Sequence, residues 1–149
     1  MSLPDTVHAS AALVGEIGIL IRGASGSGKS SLLLELIRAE PAAAHLVADD
    51  RVVLTIAHGR LLADAPPGLA GLVEVRGLGL VKHPHVAPVL IRLIVDLVPL
   101  ADCPRLPEED EAEADIGGLR LPRLFLPAGT GGGVRRIHAA IGRFFASRV

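Results

Sequence analysis

A glycine-rich loop between an apolar segment and an amphipathic segment limits this chain to few architectures. Residues 23–30 are Gly-Ala-Ser-Gly-Ser-Gly-Lys-Ser, which matches the pattern G-x-x-x-x-G-K-[ST]. Ile17–Arg22, just before the loop, is nearly all apolar, and this predicts a strand buried on both faces. Lys29–Arg38, just after it, places Leu32, Leu33, Leu36 and Ile37 on one face of a helix. The sequence therefore predicts a strand, a phosphate-binding loop and a helix in that order.

The residue types of this loop suit a nucleotide and Mg²⁺. Glycines let backbone N–H groups turn inward, and the start of the following helix adds a partial positive charge. Lys29 would reach the β- and γ-phosphates, and the Ser30 hydroxyl would bind Mg²⁺. We expect the nucleotide to contact Gly23, Ala24, Ser25, Gly26, Ser27, Gly28, Lys29, Ser30 and Ser31.

Composition narrows the class of protein. A length of 149 residues predicts one domain over residues 1–149. With 50% hydrophobic residues and a net charge of −1, the chain can build a core and has no electrostatic attraction to nucleic acid. It has no Trp, no Tyr and only 2% aromatic residues, so it lacks the usual platforms for stacking bases. We therefore expect no nucleic-acid partner.

The sequence also predicts a cytoplasmic protein with no membrane segment. The longest apolar stretch, Val86–Ala101, is interrupted by Pro88, Arg92, Asp96 and Pro99, whereas a spanning helix needs about 20 mostly apolar residues. The single cysteine, Cys103, cannot form an internal disulfide. The first residues lack the basic and then apolar pattern of a secretory signal.

The remaining patterns predict more strands than helices. Strands are expected at Val7–Val14, His45–Ala48, Val52–Ile56, Arg60–Ala63, Leu72–Val75, Val89–Leu97, Leu119–Leu121 and Leu124–Leu126. An amphipathic helix is expected over Val134–Val149, and Pro104–Asp115 is predicted to be a mobile acidic loop. Hairpins mixed with a strand–loop–helix unit favour an α/β fold of the P-loop NTPase type with a mixed sheet over a doubly wound parallel sheet.

An acidic residue is needed beside the Mg²⁺ of such a site, and two places offer one. Asp49 and Asp50 follow the apolar residues Leu46–Ala48, whereas Asp96 lies within an apolar run and is expected mid-strand. The adjacent pair stands at a strand-to-loop junction, where functional residues tend to lie. One carboxylate can hold the metal while the other accepts a proton from an attacking hydroxyl.

Four segments of the sequence resemble the catalytic domain of the HPr kinase/phosphorylase family. They are Val7-His8, the loop at 23–30, Leu46–Arg51 and Glu74–Gly79. The last segment, Glu-Val-Arg-Gly-Leu-Gly, is similar to the family's signature E-[IV]-R-G-L-G. The resemblance runs from about Val7 to Lys82 and is looser beyond. It implies a fold related to phosphoenolpyruvate carboxykinase.

The resemblance implies an ATP- and Mg²⁺-dependent kinase. The acceptor would be a serine of HPr or of an HPr-like carrier of a phosphotransferase system. His8, Lys29, Asp50 and Arg105 take the positions of the family's catalytic residues, with Asp50 as the proton acceptor. The implied metal-binding set is Ser30, Asp49 and Glu74. The implied signature loop contains Glu74, Arg76, Gly77 and Gly79.

The chain also departs from the family's usual pattern. It is similar to a short proteobacterial form that lacks the separate N-terminal domain. The family uses a loop with a Gly-Arg-Asn pattern mainly to remove the phosphate by phosphorolysis, and Pro127–Gly133 contains no arginine. Phosphorolysis is therefore the less supported direction. The resemblance further implies a homo-oligomer, typically a hexamer.

Two other functions remain open from the residues alone. A small-molecule kinase usually has an arginine-rich lid over the phosphates, and no clear one is visible. A nucleotide-binding regulatory module without turnover would not need Lys29, Ser30, Asp50 and Glu74 together. A guanine-reading N-K-x-D element, expected of a GTPase switch, is absent from the sequence.

Overall fold

The computed structural model describes residue 3 and residues 5–145. Its strands are β1 (Val7–Val14), β2 (Ile17–Gly23), β3 (Ala44–Ala48), β4 (Arg51–Ala57), β5 (Arg60–Asp64), β6 (Leu72–Val75), β7 (Gly79–Lys82), β8 (Val89–Val98), β9 (Glu113–Ile116) and β10 (Leu119–Pro127). Its helices are α1 (Lys29–Ala39) and α2 (Gly133–Phe145), with a 3₁₀ turn at Leu100–Asp102. No helix in the described part of the chain is long and apolar enough to span a membrane.

One eight-stranded mixed sheet forms the body of the protein. Its order is β2-β1-β4-β5-β8-β10-β9, with β3 paired to β1. Strand β8 pairs in parallel with both β2 and β10, and the other pairs are antiparallel. Because β2 pairs with both β1 and β8, five strands close into a ring. The predicted mixed sheet is confirmed.

Two apolar clusters fill the two sides of β2. Ile19 and Ile21 point toward the helices, where they pack with α1 and α2. Leu20 points the other way, into a cluster with β4, β5 and β8. Alternate side chains of a strand face opposite sides of a sheet, so burial of all three fits the apolar run at Ile17–Arg22. This rigid strand leads directly into the glycine-rich loop.

The structure corrects several of the predicted elements. Leu119–Pro127 is one strand, not two, and β9 occupies the end of the predicted acidic loop. In β9 the alternation of Ala114 and Ile116, both buried, with exposed acidic residues is a strand pattern. β7 was not predicted, and it pairs with β6 in a separate two-stranded sheet. The helix α2 begins at Gly133, and residues 146–149 of its predicted span lie outside the described residues.

Candidate active site

The glycine-rich loop turns between β2 and α1 with two glycines in the left-handed region. Gly26 has φ 80° and Gly28 has φ 100°, where a Cβ atom would add strain. Gly28 is the N-cap residue of α1. Among the described residues, no side chain forms a capping hydrogen bond there, and the first turn of the helix contains no acidic residue. The N–H groups at the start of α1 are therefore available to an anion.

Lys29 lies folded over this loop and is only 6% exposed. Its Nζ atom donates to the carbonyl oxygens of Gly23 and Ala24, at 2.9 and 3.0 Å. Burial lowers the pKa of Lys29 below its ordinary value, although the negative charges of Asp50 and Asp49 oppose the change. A bound phosphate would supply further negative charge close to the buried ammonium and would favour its charged form.

Asp49 is a buried carboxylate that accepts several hydrogen bonds. Ser10 Oγ donates to its Oδ1 at 2.7 Å, and Ser30 Oγ lies 2.8 Å from each carboxylate oxygen. The backbone N–H of Glu74 donates to Oδ2 at 3.1 Å. These donors fix Asp49 beside Ser30, the residue expected to bind Mg²⁺. Asp49 therefore links the phosphate loop to the signature loop.

Asp50 faces a different environment from its neighbour. Its side chain is 57% exposed, and its Oδ1 lies 2.9 Å from Nε2 of His8. Its backbone has φ 65°, an uncommon conformation that Asp tolerates better than most residues. Non-glycine residues held in this region cluster at functional sites. The turn at Asp50 separates the directions of the two adjacent carboxylates.

A pocket of about 620 Å³ brings most of the predicted site together. His8, Asp50, Glu74 and Arg76 line it along with residues 25–31 of the phosphate loop. Asp49 is not among the residues that line the pocket, and it lies behind Ser30. A nucleotide phosphate in the loop would therefore lie in the same cavity as a carboxylate that can accept a proton.

Comparison with protein families identifies the class of domain to which these residues belong. A model described as the HPr serine kinase C-terminal domain matches residues 1–146. The chain belongs to this family. The family suggested by the phosphate loop and the Glu-Val-Arg-Gly-Leu-Gly segment is thus confirmed.

Curated relatives named HPr kinase/phosphorylase are similar to this chain in sequence. The protein of Clostridium tetani is 44% identical over 84 residues, which are 56% of this chain and 27% of the relative. That of Bordetella petrii is 37% identical over 137 residues, covering 85% of this chain and 43% of the relative. That of Mycoplasma mycoides is 30% identical over 151 residues, covering 92% and 47%. The chain thus spans less than half the length of these relatives.

A solved structure described as the HPr(Ser) kinase/phosphatase of Coxiella burnetii has the same fold. It is 24% identical in sequence with a TM-score of 0.76, and the match covers 97% of this chain and 96% of that one. The α/β architecture with its mixed sheet is therefore that of an HPr kinase family domain.

The expected metal-binding residues lie near one another but do not form a complete cage. Glu74 contacts Asp49 through its backbone N–H, and its side chain is exposed on the pocket wall. Among the described residues, no group of three or more His, Cys, Asp and Glu side chains could hold a metal ion. Mg²⁺ commonly takes only one or two protein ligands and shares substrate phosphates. A cation that shares phosphates needs few protein ligands, and the metal-binding role expected for Ser30, Asp49 and Glu74 stays a prediction.

Arg105 is not brought into the phosphate pocket. It lines an adjoining pocket of about 520 Å³ together with Cys103 and Arg123. Pro127 and Arg136 line both pockets. The catalytic role expected for Arg105 stays a prediction, and in this structure its segment lies beside the phosphate site.

The segment before α2 and one residue of α2 line the phosphate pocket: Thr130, Gly131, Gly133 and Arg136. They do so because α2 packs against α1 and β10. The sequence of Gly129–Gly133 favours a flexible loop over a phosphate contact at the start of the last helix, and the structure places the segment at the pocket. Arg136 was missed, because no local signal in the sequence assigns it to this pocket. Ser10 was also missed, although its spacing from His8 places both residues on one face of a strand.

Proposed function

We propose that this chain is an ATP- and Mg²⁺-dependent protein kinase that phosphorylates a serine of HPr or of an HPr-like phosphotransferase-system carrier. The observation that supports it best is the shared pocket of the phosphate loop, the His8–Asp50 pair and Glu74 with Arg76. Family membership supports the class of acceptor. We further propose that the fold is of the P-loop NTPase type and related to phosphoenolpyruvate carboxykinase.

Asp50 would act as the general base. As the acceptor serine oxygen forms a bond to the γ-phosphorus, the bond to the leaving ADP oxygen breaks and the serine proton passes to Asp50. His8, 2.9 Å from Asp50 Oδ1, would orient that carboxylate. In this proposal Asp50 both points into the pocket and is open enough to meet a protein hydroxyl.

Positive groups around the pocket would offset the charge of the transferring phosphoryl group. Lys29, Arg76 and Arg136 line the pocket; Lys29 would approach that group from the loop and the two arginines from the walls. Arg105 would have to approach from the adjoining pocket. Bound Mg²⁺ would neutralise phosphate oxygens from a place beside Ser30, Asp49 and Glu74.

We also propose where the enzyme works, how it assembles and which reaction direction dominates. We propose that this domain works in the cytoplasm, where the free thiol of Cys103 stays reduced. The chain would assemble into a homo-oligomer, a hexamer by family analogy, and the exposed Leu78 and Leu80 of the β6–β7 hairpin offer an apolar surface for it. Pro127–Gly133 contains no arginine, so we propose that the kinase direction dominates over phosphorolysis.

The test is to find where the phosphate goes. The purified chain is incubated with labelled ATP, Mg²⁺ and purified HPr-type carriers, and in parallel with a pool of small-molecule acceptors. A carrier whose acceptor serine is changed to alanine is the control. We expect label on the carrier only when that serine is present. Label on a metabolite, or nucleotide binding with no transfer to any acceptor, would refute the protein-kinase proposal.

A further inference from the structure

Ser10 is a fully buried hydroxyl on β1, with 0% of its surface exposed. A buried hydroxyl normally has hydrogen-bond partners, and those of Ser10 are Asp49 and Asp50. Its Oγ donates to Oδ1 of Asp49 at 2.7 Å and accepts from the backbone N–H of Asp50 at 3.4 Å. One side chain outside the phosphate pocket therefore contacts both residues of the aspartate pair.

The strand pairing explains why the N–H of Asp50 takes a side-chain acceptor instead of a backbone one. Strand β1 pairs with β3 as far as Ala11 opposite Ala48, and with β4 from His8 opposite Arg51. The aspartate pair crosses from β3 to β4 in the gap between these two registers. There the backbone of Asp50 is left-handed, with φ 65°, and its N–H points away from the regular strand pairing. The Oγ atom of Ser10 accepts a hydrogen bond from this N–H.

Neighbouring contacts hold the same turn against β1. The N–H of Ala9 donates to the carbonyl of Asp50 at 3.2 Å, and His8 holds the Asp50 side chain. Ser10 is the member of this group that also reaches Asp49, and through Asp49 it reaches Ser30 of the phosphate loop. The hydroxyl thus joins the expected base to the expected metal-binding residues.

We propose that Ser10 is a positioning residue for phosphoryl transfer. It fixes the Asp49 carboxylate against Ser30 and sets the peptide angle that directs Asp50 into the pocket. The inference rests on the proposed function. Side chains that orient metal-site and catalytic groups typically contribute about 10- to 100-fold to metal affinity or activity.

The test compares Ser10→Ala with Ser10→Thr, which keeps a hydroxyl, and with Val14→Ala. Val14 is a buried residue at the far end of β1, paired with Ile17 and Ala44, and it controls for loss of stability in the same strand. Three quantities are measured: kcat, KM for ATP, and the affinity for a non-hydrolysable ATP analogue with and without Mg²⁺. Thermal unfolding confirms that each variant is folded.

For Ser10→Ala we expect kcat to fall about tenfold or more, and KM for ATP measured with Mg²⁺ to rise as the Mg²⁺-dependent affinity falls. The gain in analogue affinity caused by Mg²⁺ should shrink by about tenfold, while the affinity without Mg²⁺ stays unchanged. Ser10→Thr should recover these quantities, and Val14→Ala should lower only the unfolding temperature. Wild-type behaviour of folded Ser10→Ala, or an equal loss of affinity with and without Mg²⁺, would overturn the proposal.

The affinity measurements need no protein acceptor. If the wild-type chain labels no carrier, the proposed function fails, and the Mg²⁺-dependent affinity of Ser10→Ala still decides whether Ser10 positions the expected metal-binding residues. If carriers are labelled and Ser10→Ala matches the wild type, the proposed function stands and the role of Ser10 is refuted.

Discussion

Asp49 and Asp50 are adjacent in sequence, yet the structure gives them different surroundings. Asp49 is 6% exposed and accepts hydrogen bonds from Ser10, Ser30 and Glu74. The Asp50 side chain is 57% exposed and contacts His8. A fixed, buried carboxylate suits a metal-side role, and an accessible one suits proton transfer. The division of roles expected from the sequence stays a prediction, and the left-handed backbone of Asp50 accompanies the different surroundings of the two neighbours.

Lys29 offers a prediction that can be observed directly, because the lysines of this chain are Lys29 and Lys82. In a Lys82→Arg variant labelled with ¹³C-lysine, Lys29 gives the only lysine Cε signal. We expect that signal to titrate below the value of a free lysine, because burial lowers the pKa of Lys29. Adding nucleotide should move the titration upward, because phosphate charge favours the ammonium. A midpoint at or above that of free lysine would contradict the burial effect.

The sign of the matching stability effect follows from proton linkage. Between the lowered pKa of Lys29 in the fold and its higher value in the unfolded chain, the unfolded chain binds more protons. The contribution of Lys29 to the free energy of unfolding therefore rises with pH in that window. Urea unfolding of the nucleotide-free protein should show this rise, relative to a Lys29→Met variant.

At the scale of elements, local patterns predicted the strand–loop–helix unit and the hairpin of β4 and β5. They did not predict that β1 changes partner from β3 to β4 beside the aspartate pair. Such a register depends on strands distant in sequence, whereas a local pattern reports only which face is buried. Ser10 was missed for the same reason. Its hydroxyl forms hydrogen bonds with Asp49 and Asp50 only because the fold brings the turn at Asp50 against β1.

Asp96 joins three parallel strands. It lies on β8, and it accepts from Arg22 of β2 at 2.7 and 2.8 Å and from Arg123 of β10 at 2.6 Å. The sequence predicted its mid-strand place, but the two arginine partners come from strands far along the chain. Because Arg22 immediately precedes the phosphate loop, this cluster also anchors the loop to the sheet.

Asp96→Asn should therefore destabilise the fold. Removing one member of a buried ion pair can lower the free energy of unfolding by about 3–5 kcal/mol. Because Arg22 and Arg123 are partly exposed, at 34% and 27%, we expect a loss of about 2 kcal/mol here. The control is Glu113→Gln, which breaks the exposed pair with Arg120 and should cost less than about 1 kcal/mol. Urea unfolding measures both, and equal costs would refute the anchoring role of Asp96.

The fold of the molecule brings segments that are distant in sequence around one pocket. The phosphate loop follows β2, the aspartate pair follows β3, Glu74 and Arg76 come from the β6–β7 hairpin, and Arg136 comes from α2. Motifs in the sequence identified the first three of these segments. The position of α2 follows from its packing on α1 and β10, which no local pattern contains, so Arg136 could not be assigned in advance.

We propose that this pocket transfers a phosphoryl group with Asp50 as the base. The most direct measurement is single-turnover transfer from ATP to an HPr-type carrier by the wild-type chain and by Asp50→Asn, with nucleotide affinity measured beside it. We predict nearly equal nucleotide affinity and a transfer rate about 100-fold lower or more in the variant. Transfer by Asp50→Asn at the wild-type rate would contradict the claim.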